Sequence, residues 1–189
     1  MCSLPIGLSS ERVPGVPKVP GVPKVLFSRR ATPADAPAIA DIYNEGIEDG
    51  IATFETRPRT ADDVGKWFGT RFPIVVVEDG NGQIIAFAST SEYRSRECYA
   101  GVAEFSVYVA RSERGRGAGR LAMQSLIKEA KAAGFWKLVS RVFPENAASR
   151  ALLTQLGFRE VGIYKRHAQS RGVWRDVVIV ERLLPENQR

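Results

Sequence analysis

Glycine and arginine alternate in one short segment of the chain, Arg114 to Arg120, which reads Arg-Gly-Arg-Gly-Ala-Gly-Arg. Glycines let backbone amides approach a ligand closely, and a helix N-terminus offers unpaired N–H groups with a partial positive charge. Guanidinium groups beside them add charge-assisted hydrogen bonds to an anion. The segment therefore predicts an anion site, and so many bases suit a pyrophosphate better than a single carboxylate.

Two well-known phosphate-binding loops do not fit this segment. It is not a P-loop, because no Gly-Lys-Ser or Gly-Lys-Thr follows it. It is not a dinucleotide fingerprint, because the spacing is Gly-x-Gly-x-Gly and no early βαβ unit accompanies it. A glycine-rich loop that merely turns the chain is the alternative, although it leaves the neighbouring arginines without an explanation.

Regular elements must position this segment, and they are predicted from residue 25 onward. Hydrophobic periodicity, capping residues and turn signals indicate where each element lies. We expect strands at residues 25–30, 74–77, 84–91, 103–109, 138–143, 160–167 and 173–183, and helices at 33–50, 60–71, 121–133 and 147–156. The order β, α, α, β, β, β, α, β, α, β, β predicts a mixed α/β sandwich in which the glycine-rich segment joins the fourth strand to the third helix.

The composition fits one compact domain, with 189 residues, 44% hydrophobic residues and a net charge of +6. Residues 1–24 hold three bases against one acid, so +6 minus +2 leaves +4 on the other 165 residues. That small surplus argues against nucleic-acid binding. No apolar stretch approaches the roughly 20 residues of a membrane-spanning helix, and residues 1–8 do not resemble a signal peptide. Two cysteines, Cys2 and Cys98, cannot form a disulfide framework, which favours a reducing, cytoplasmic location.

The N-terminal segment differs from the rest of the chain. Residues 14–19 read Pro-Gly-Val-Pro-Lys-Val, and residues 20–25 repeat that unit. Prolines at this density exclude a helix or a central strand. We therefore expect a flexible or polyproline-like extension at residues 1–24 and a domain at residues 25–189. A docking motif for a proline-recognition domain is the alternative, and nothing else in the sequence supports it.

The glycine-rich motif, together with a second segment, resembles a known superfamily. Residues 114–119 are similar to the Arg/Gln-x-x-Gly-x-Gly/Ala pyrophosphate loop of the GNAT acetyltransferases, and residues 146–152 with 156–158 resemble their second coenzyme-contacting segment. The resemblance covers about residues 25–184. It implies the α/β GNAT fold, a mixed and mostly antiparallel sheet of about seven strands flanked by about four helices. It also implies acetyl-CoA as cosubstrate and no metal.

The resemblance also implies where the coenzyme binds. The backbone of Val107 to Val109 would hold the pantetheine arm and polarise the acetyl carbonyl. The implied coenzyme contacts are Val107, Tyr108, Val109, Arg114, Gly115, Arg116, Gly117, Ala118, Gly119, Arg120, Asn146 and Ser149.

Further segments resemble one family within the superfamily, the phosphinothricin and methionine sulfoximine acetyltransferases. They are residues 42–44, 53–55, 58–60, 106–109 and 174–177. The likeness implies acetylation of the α-amine of a small glutamate-like amino acid, such as phosphinothricin, methionine sulfoximine or arsinothricin, as a detoxification. It also implies a homodimer in which the final strands and the segment around residues 93–99 contribute to a shared site.

The same likeness implies roles for individual side chains. An ammonium must lose a proton before it attacks a thioester, and Glu104 occupies the family's carboxylate position; a paired structural carboxylate is its alternative role. Arg94, Arg96 and Tyr99 lie where the family places its phosphinate- and carboxylate-binding groups, although loop arginines are often only solvated. Phe54 is expected as a lid or wall over the substrate, or else as a core anchor.

One position departs from the superfamily pattern. The residue that protonates the departing thiolate is Tyr in much of the superfamily and His in the phosphinothricin enzymes, but it is Leu153 here. Water, Tyr108 or Tyr164 would then supply the proton, or the thiolate leaves unaided, since thiols have a reference pKa of about 8.5. His167, the only histidine, is interpreted as structural or superficial. Cys98 has no identifiable partner base.

Three functions remain open at this stage. The first, which we favour, is a small-molecule amine acetyltransferase. The second is a peptide or protein N-terminal acetyltransferase, which would need an open groove. The third is a coenzyme-A-binding regulatory module without catalysis, which Leu153 permits and Glu104 argues against.

Overall fold

The structure, a computed structural model, describes residues 25–188. The predicted extension at residues 1–24 and Cys2 lie outside the described residues. The seven strands are β1 (Phe27–Arg30), β2 (Ile74–Glu78), β3 (Ile84–Glu92), β4 (Val102–Val109), β5 (Lys137–Val142), β6 (Arg159–Ser170) and β7 (Val173–Leu183). The four α-helices of this part of the chain are α1 (Ala36–Asp49), α2 (Ala61–Gly65), α3 (Ala118–Ala132) and α4 (Ala147–Gln155).

The strands form one seven-stranded sheet in the order β1-β2-β3-β4-β5-β7-β6. Every neighbouring pair is antiparallel except β4 and β5, which are parallel. This sheet and its helices confirm the α/β fold class expected from the sequence.

Both faces of the sheet are covered, which explains the unbroken apolar run of β2. Val75 and Val77 belong to the core under α3 and α4, whereas Ile74 and Val76 belong to the core under α1 and α2. Successive residues of a strand point to opposite faces, so a strand buried on both faces needs apolar residues at every position. The sheet therefore carries α1 and α2 on one face and α3 and α4 on the other.

Local signals placed several element ends correctly. In the turn between β2 and β3, the Asp79 carboxylate accepts hydrogen bonds from the backbone N–H groups of Asn81 (2.9 Å) and Gln83 (3.0 Å). At the start of α2, the Thr60 hydroxyl accepts a hydrogen bond from the Asp63 N–H at 3.1 Å, as the predicted cap requires.

Other boundaries were wrong. The helix predicted over residues 60–71 ends at Gly65, because the chain then turns to pack the Trp67 ring edge-on against Tyr43 and the Phe72 ring on Phe135. Helix α3 begins at Ala118, three residues before the predicted start. Strand β6 continues to residue 170, past the predicted end at residue 167, with register shifts along its pairing with β7.

Candidate active site

The parallel strands β4 and β5 separate part of the way along their length. Only Val102 to Glu104 of β4 pair with β5, opposite Lys137 to Val139. Beyond Glu104, β4 continues to pair with β3 on its other side as far as Val109. Backbone groups on the β5 side of residues 105–109 are therefore free of a strand partner and can bind a ligand.

The glycine-rich segment lies at the end of this opening and borders a cavity of about 460 Å³, here called the glycine cavity. Gly115 and Gly117 adopt left-handed backbone conformations, with φ of 75° and 90°. Gly119 is closely packed, since a Cβ there would lie 3.2 Å from a methyl group of Val109, which would have to shift slightly. Because α3 starts at Ala118, its unpaired first-turn N–H groups belong to this segment. The predicted anion site thus has the backbone arrangement that the sequence indicated.

The arginines of the segment differ in where they point. Arg114 and Arg120 line the glycine cavity, where Arg114 is hydrogen-bonded to the Val109 carbonyl (3.2 Å) and Arg120 to Gln155. Arg116 pairs with Glu113 at 3.0 Å and does not line the cavity, and Ala118 is buried in the core. Arg114 and Arg120 are therefore the arginines of this segment that border the predicted anion site.

Asp49, at the end of α1, holds the glycine-rich segment to that helix. Its carboxylate pairs with Arg114 (2.7 Å) and with Arg111 (2.8 Å). Burial acts to raise the pKa of Asp49, but the two guanidinium groups outweigh it and the net pKa is lowered. Asp49 is therefore ionised at neutral pH and anchors the segment beside the cavity.

A second cavity, of about 520 Å³, lies on the other side of the opening and contains Glu104; it is here called the glutamate cavity. The two cavities share the lining residues Ala52, Val107, Tyr108, Asn146 and Ser149. A ligand extending from the glycine cavity can thus meet a second ligand in the glutamate cavity. This meeting point is where a group can pass from one molecule to the other.

Glu104 is paired, as one of the two readings of the sequence anticipated. Its carboxylate accepts hydrogen bonds from Arg141 of β5, one of them from Nε at 3.2 Å and others from Nη2. The Glu104 side chain keeps 26% of its surface exposed and lines the cavity. A paired carboxylate that still faces a cavity can accept a proton there, so pairing does not exclude catalysis.

Tyr108 lines both cavities. Its ring packs against Tyr43 and Phe87, with centroid distances of 4.8 and 5.3 Å, and its hydroxyl donates to the Ala52 carbonyl at 3.4 Å. Burial raises the pKa of Tyr108 well above its ordinary value. The group therefore keeps its proton at any physiological pH. Tyr164, the other candidate proton donor, is exposed and lines neither cavity.

Asn146 joins α4 to the loop that follows α1. Its side-chain oxygen accepts the Ser149 N–H at 3.1 Å and so caps α4, and its amide nitrogen donates to the Ile51 carbonyl at 3.2 Å. Both Asn146 and Ser149 line the two cavities. The second predicted segment is thereby brought beside the first.

Aromatic and apolar side chains form one wall of the glutamate cavity. Phe54 is half-buried, and its ring contacts Phe143 edge-on with centroids 4.8 Å apart, so it is a wall residue held by packing. Leu153 is buried and lines the same cavity. His167 is exposed, lies 6.5 Å from the Phe54 ring and also lines it. Nothing in the sequence around His167 indicated that this residue would line the cavity.

The segment after β3 lies away from both cavities. Arg94 and Arg96 are exposed, and the Arg94 guanidinium lies over the Tyr93 ring, 5.4 Å from its centroid. Tyr99 contacts Tyr93, with centroids 5.7 Å apart. None of Arg94, Arg96 and Tyr99 lines either cavity within the single chain.

Residues 25–188 contain no group of three or more His, Cys, Asp or Glu side chains that could hold a metal ion. None of their helices has the length and apolar character needed to cross a membrane.

The open sheet, the glycine-rich turn and the two adjoining cavities define a class of acyl-transferring proteins, and the sequence comparison agrees. Residues 38–158 match the acetyltransferase (GNAT) family, so the chain belongs to that family.

Several individual members of the family are similar to this chain. The L-methionine sulfoximine/L-methionine sulfone acetyltransferase of Pseudomonas aeruginosa is 34% identical over 157 residues, which are 81% of this chain and 91% of the relative. The crystal structure of a phosphinothricin acetyltransferase from Sinorhizobium meliloti in complex with acetyl-CoA is similar with a TM-score of 0.78 and 30% identity, over 86% of this chain and 89% of that one. A ribosomal-protein-alanine N-acetyltransferase from Brucella melitensis has a TM-score of 0.79 and 34% identity, over 84% and 99%.

Proposed function

We propose that this acetyltransferase moves the acetyl group of acetyl-CoA to the α-amine of a small amino acid such as methionine sulfoximine, methionine sulfone or phosphinothricin. The observation that carries the proposal is the meeting of the two cavities at Val107 and Tyr108, with the glycine-rich turn on one side and Glu104 on the other. The names of two relatives supply the acceptor class. Arsinothricin is a fourth acceptor to be tested, and acetylation of phosphinothricin, methionine sulfoximine or arsinothricin would be a detoxification.

Acetyl-CoA fits the glycine cavity by its chemistry. Backbone N–H groups of residues 115–119, with Arg114 and Arg120, would hold the pyrophosphate, and the unpaired edge of residues 105–109 would hold the pantetheine arm. Asn146 and Ser149 would border the arm where the cavities meet. Bound there, acetyl-CoA supplies a thioester as the acetyl donor.

Glu104 is proposed as the base for the acceptor amine. An ammonium has no lone pair to attack with, so it must first give a proton to the carboxylate, directly or through water. The amine nitrogen then bonds to the thioester carbon, the carbon–sulfur bond breaks and the thiolate leaves, while nitrogen gives up a second proton that ends on sulfur. Tyr108 lines both cavities, and its phenol, which keeps its proton, would relay this second proton by giving its own to sulfur and taking the one that nitrogen loses.

A coupled assay of thiol release tests the function. Wild-type protein is given acetyl-CoA with methionine sulfone, methionine sulfoximine, phosphinothricin, arsinothricin, common amino acids and a peptide with N-terminal alanine. We expect turnover with the small amino acids and little with the peptide. Preferential turnover of the peptide would favour the N-terminal acetyltransferase function instead. Tight acetyl-CoA binding without turnover of any amine would favour the third function, a coenzyme-A-binding regulatory module without catalysis.

Replacement of Glu104 tests its role. Glu104→Gln is expected to lower kcat by about 10²-fold or more with a smaller change in KM, because it removes the proton acceptor but keeps the shape. Glu160→Gln is the matched control, since Glu160 also pairs with an arginine, Arg150 (2.7 Å), but lies outside both cavities. An unchanged kcat in Glu104→Gln would remove this residue from the mechanism.

The division into an extension at residues 1–24 and a domain at 25–189 remains part of the proposal, as do a cytoplasmic location and a homodimer. An exposed, reduced Cys98 is compatible with the cytoplasm. The homodimer is supported by an apolar surface at one edge of the sheet. There, β6 and the start of β7 expose Val161, Ile163, Tyr164, Val173 and Trp174.

A further inference from the structure

The charged groups that line the glutamate cavity are unevenly distributed. Among the described residues, the lining has two carboxylates, Glu55 and Glu104, and one permanently cationic side chain, Arg141. An amino acid acceptor brings its own carboxylate into this space. An anion moved out of water beside other anions is costly unless a cation pairs with it. The acceptor therefore needs a cation, and the cavity offers one.

Arg141 stands directly beside Glu104 for a topological reason. Glu104 is the last β4 residue paired with β5, opposite Val139, and Arg141 lies two residues further along β5. Residues two apart on a strand share a face, so Arg141 points to the same side of the opening as Val139. Its side chain remains 41% exposed. It is therefore close to Glu104 and still open to the cavity.

The guanidinium uses only part of its donor set on Glu104. Its Nε and Nη2 donate to that carboxylate, and no other partner of the Arg141 side chain is found among residues 25–188. A guanidinium carries five N–H donors, which form two edges suited to bidentate carboxylate binding. The edge formed by Nη1 and the second N–H of Nη2 thus remains for a ligand.

Other arginines near the opening are less suited to this task. Arg59 pairs with Glu55 at 2.8 Å, and Arg175 pairs with Glu145 at 2.6 Å; neither lines the glutamate cavity. Arg94 and Arg96 lie outside it in the single chain. Arg141 differs from these arginines because it lines the glutamate cavity.

We propose that Arg141 binds the α-carboxylate of the acceptor amino acid through its free edge and thereby brings the α-amine to Glu104. The inference rests on the proposed function. In an α-amino acid the amine and the carboxylate share one carbon, so a cation that touches both Glu104 and the acceptor carboxylate places the amine next to the base. Arg141 then selects acceptors with a free carboxylate and orients them, whatever their side chain.

The test compares two acceptors that differ only at this group, methionine sulfone and its carboxamide. Wild-type protein is expected to prefer the free acid. Arg141→Met is expected to lower kcat/KM for the acid by about 10- to 100-fold and to change that for the amide by only a few fold, so the preference is lost. Arg141→Lys keeps the charge but loses the bidentate guanidinium, and its preference for the acid is expected to lie between those of wild type and Arg141→Met. Arg30→Met, which removes an arginine paired with Glu129 at the opposite edge of the sheet, is expected to keep the full preference.

The outcomes separate this inference from the proposed function. If wild type acetylates the acid and Arg141→Met keeps the same acid-to-amide ratio, Arg141 does not bind the carboxylate and the proposed function stands. A uniform loss for both acceptors would show a structural role and would also overturn the inference. If Arg141→Met does not fold, as judged by circular dichroism, an unchanged ratio in Arg141→Lys overturns it in the same way. If wild type turns over neither these two compounds nor any other small amino acid of the thiol-release assay, both proposals are overturned.

Discussion

At the scale of single residues, the chemistry depends on how each side chain is held. Leu153, at the position where the family resemblance leads one to expect a proton donor, is buried in the cavity wall. Tyr108, one of the two tyrosines that the sequence left open as proton donors, is buried and lines both cavities, whereas Tyr164 is exposed and lines neither. The two tyrosines left open by the sequence are thus distinguished by burial and position.

Replacement of the Tyr108 hydroxyl tests this distinction. Tyr108→Phe is expected to lower kcat by about 10²-fold, because the departing thiolate loses its proton source, whereas Tyr164→Phe is expected to leave it within twofold. A phenol fails as a donor when pH rises through its pKa. Since burial raises the pKa of Tyr108, the wild-type kcat is expected to show no alkaline decline from this group up to pH 10, its ordinary value. Equal activity of Tyr108→Phe and wild type, measured from pH 6 to 10, would point to water or to an unaided thiolate.

At the scale of elements, Tyr108 depends on how closely α1 approaches β4. A Cβ at Gly46 of α1 would lie 2.7 Å from two ring carbons of Tyr108, closer than such atoms can approach. The helix therefore lies against the tyrosine ring only because residue 46 has no side chain. This contact also sets the position of the phenol between the cavities.

A methyl group at this contact should disturb both stability and activity. Gly46→Ala is expected to reduce the free energy of unfolding by about 1–3 kcal/mol, because the overpacked ring must shift, and to lower kcat with it. Gly65→Ala in α2 is the control, since no heavy atom outside the helix lies within 4 Å of its Cβ; it is expected to be neutral or to stabilise by up to about 1 kcal/mol. Urea denaturation and the thiol-release assay measure the two effects. A stable, fully active Gly46→Ala protein would contradict this account of the packing.

At the scale of the whole molecule, the two edges of the sheet differ. Strand β1 forms one edge, and β6 forms the other with most of its length exposed. An exposed apolar edge strand invites pairing with another chain unless a partner covers it. The proposed homodimer would cover the β6 edge. Arg94, Arg96 and Tyr99 line neither cavity in one chain. A role for them in acceptor binding would therefore require the proposed dimer.

The oligomeric state tests this proposal. Wild-type protein is expected to sediment as a dimer, and Ile163→Lys on β6 as a monomer, because an uncompensated charge would enter the interface. Phe27→Lys on β1 is the matched control: Phe27 is 57% exposed and Ile163 51% exposed, each on an edge strand. It is expected to leave the dimer intact. Sedimentation velocity at several protein concentrations measures the oligomeric state of all three proteins. A monomeric wild type would contradict the proposed homodimer.

Much of the fold could be predicted from the sequence because its signals are local. Alternating or continuous apolar residues identified all seven strands of the described chain, and the cap at Thr60 and the turn at Asp79 were placed correctly. Helix α2 was overestimated because its end is set by Trp67 and Phe72, whose ring partners, Tyr43 and Phe135, are distant in sequence. Local propensity carries no information about such partners.

For the site, the glycine-rich turn could be predicted from the sequence alone, because glycine and a helix N-terminus create anion-binding groups within one continuous segment. Which side chains meet across the opening became known only from the fold. Glu104 and Arg141 are 37 positions apart and form a pair because β4 and β5 run parallel there. Tyr108 and Tyr164 look alike in sequence, but one is buried between two cavities and the other is exposed. The physical reason is that pairing and burial depend on distances in space, which residue types and spacing along the chain do not encode directly.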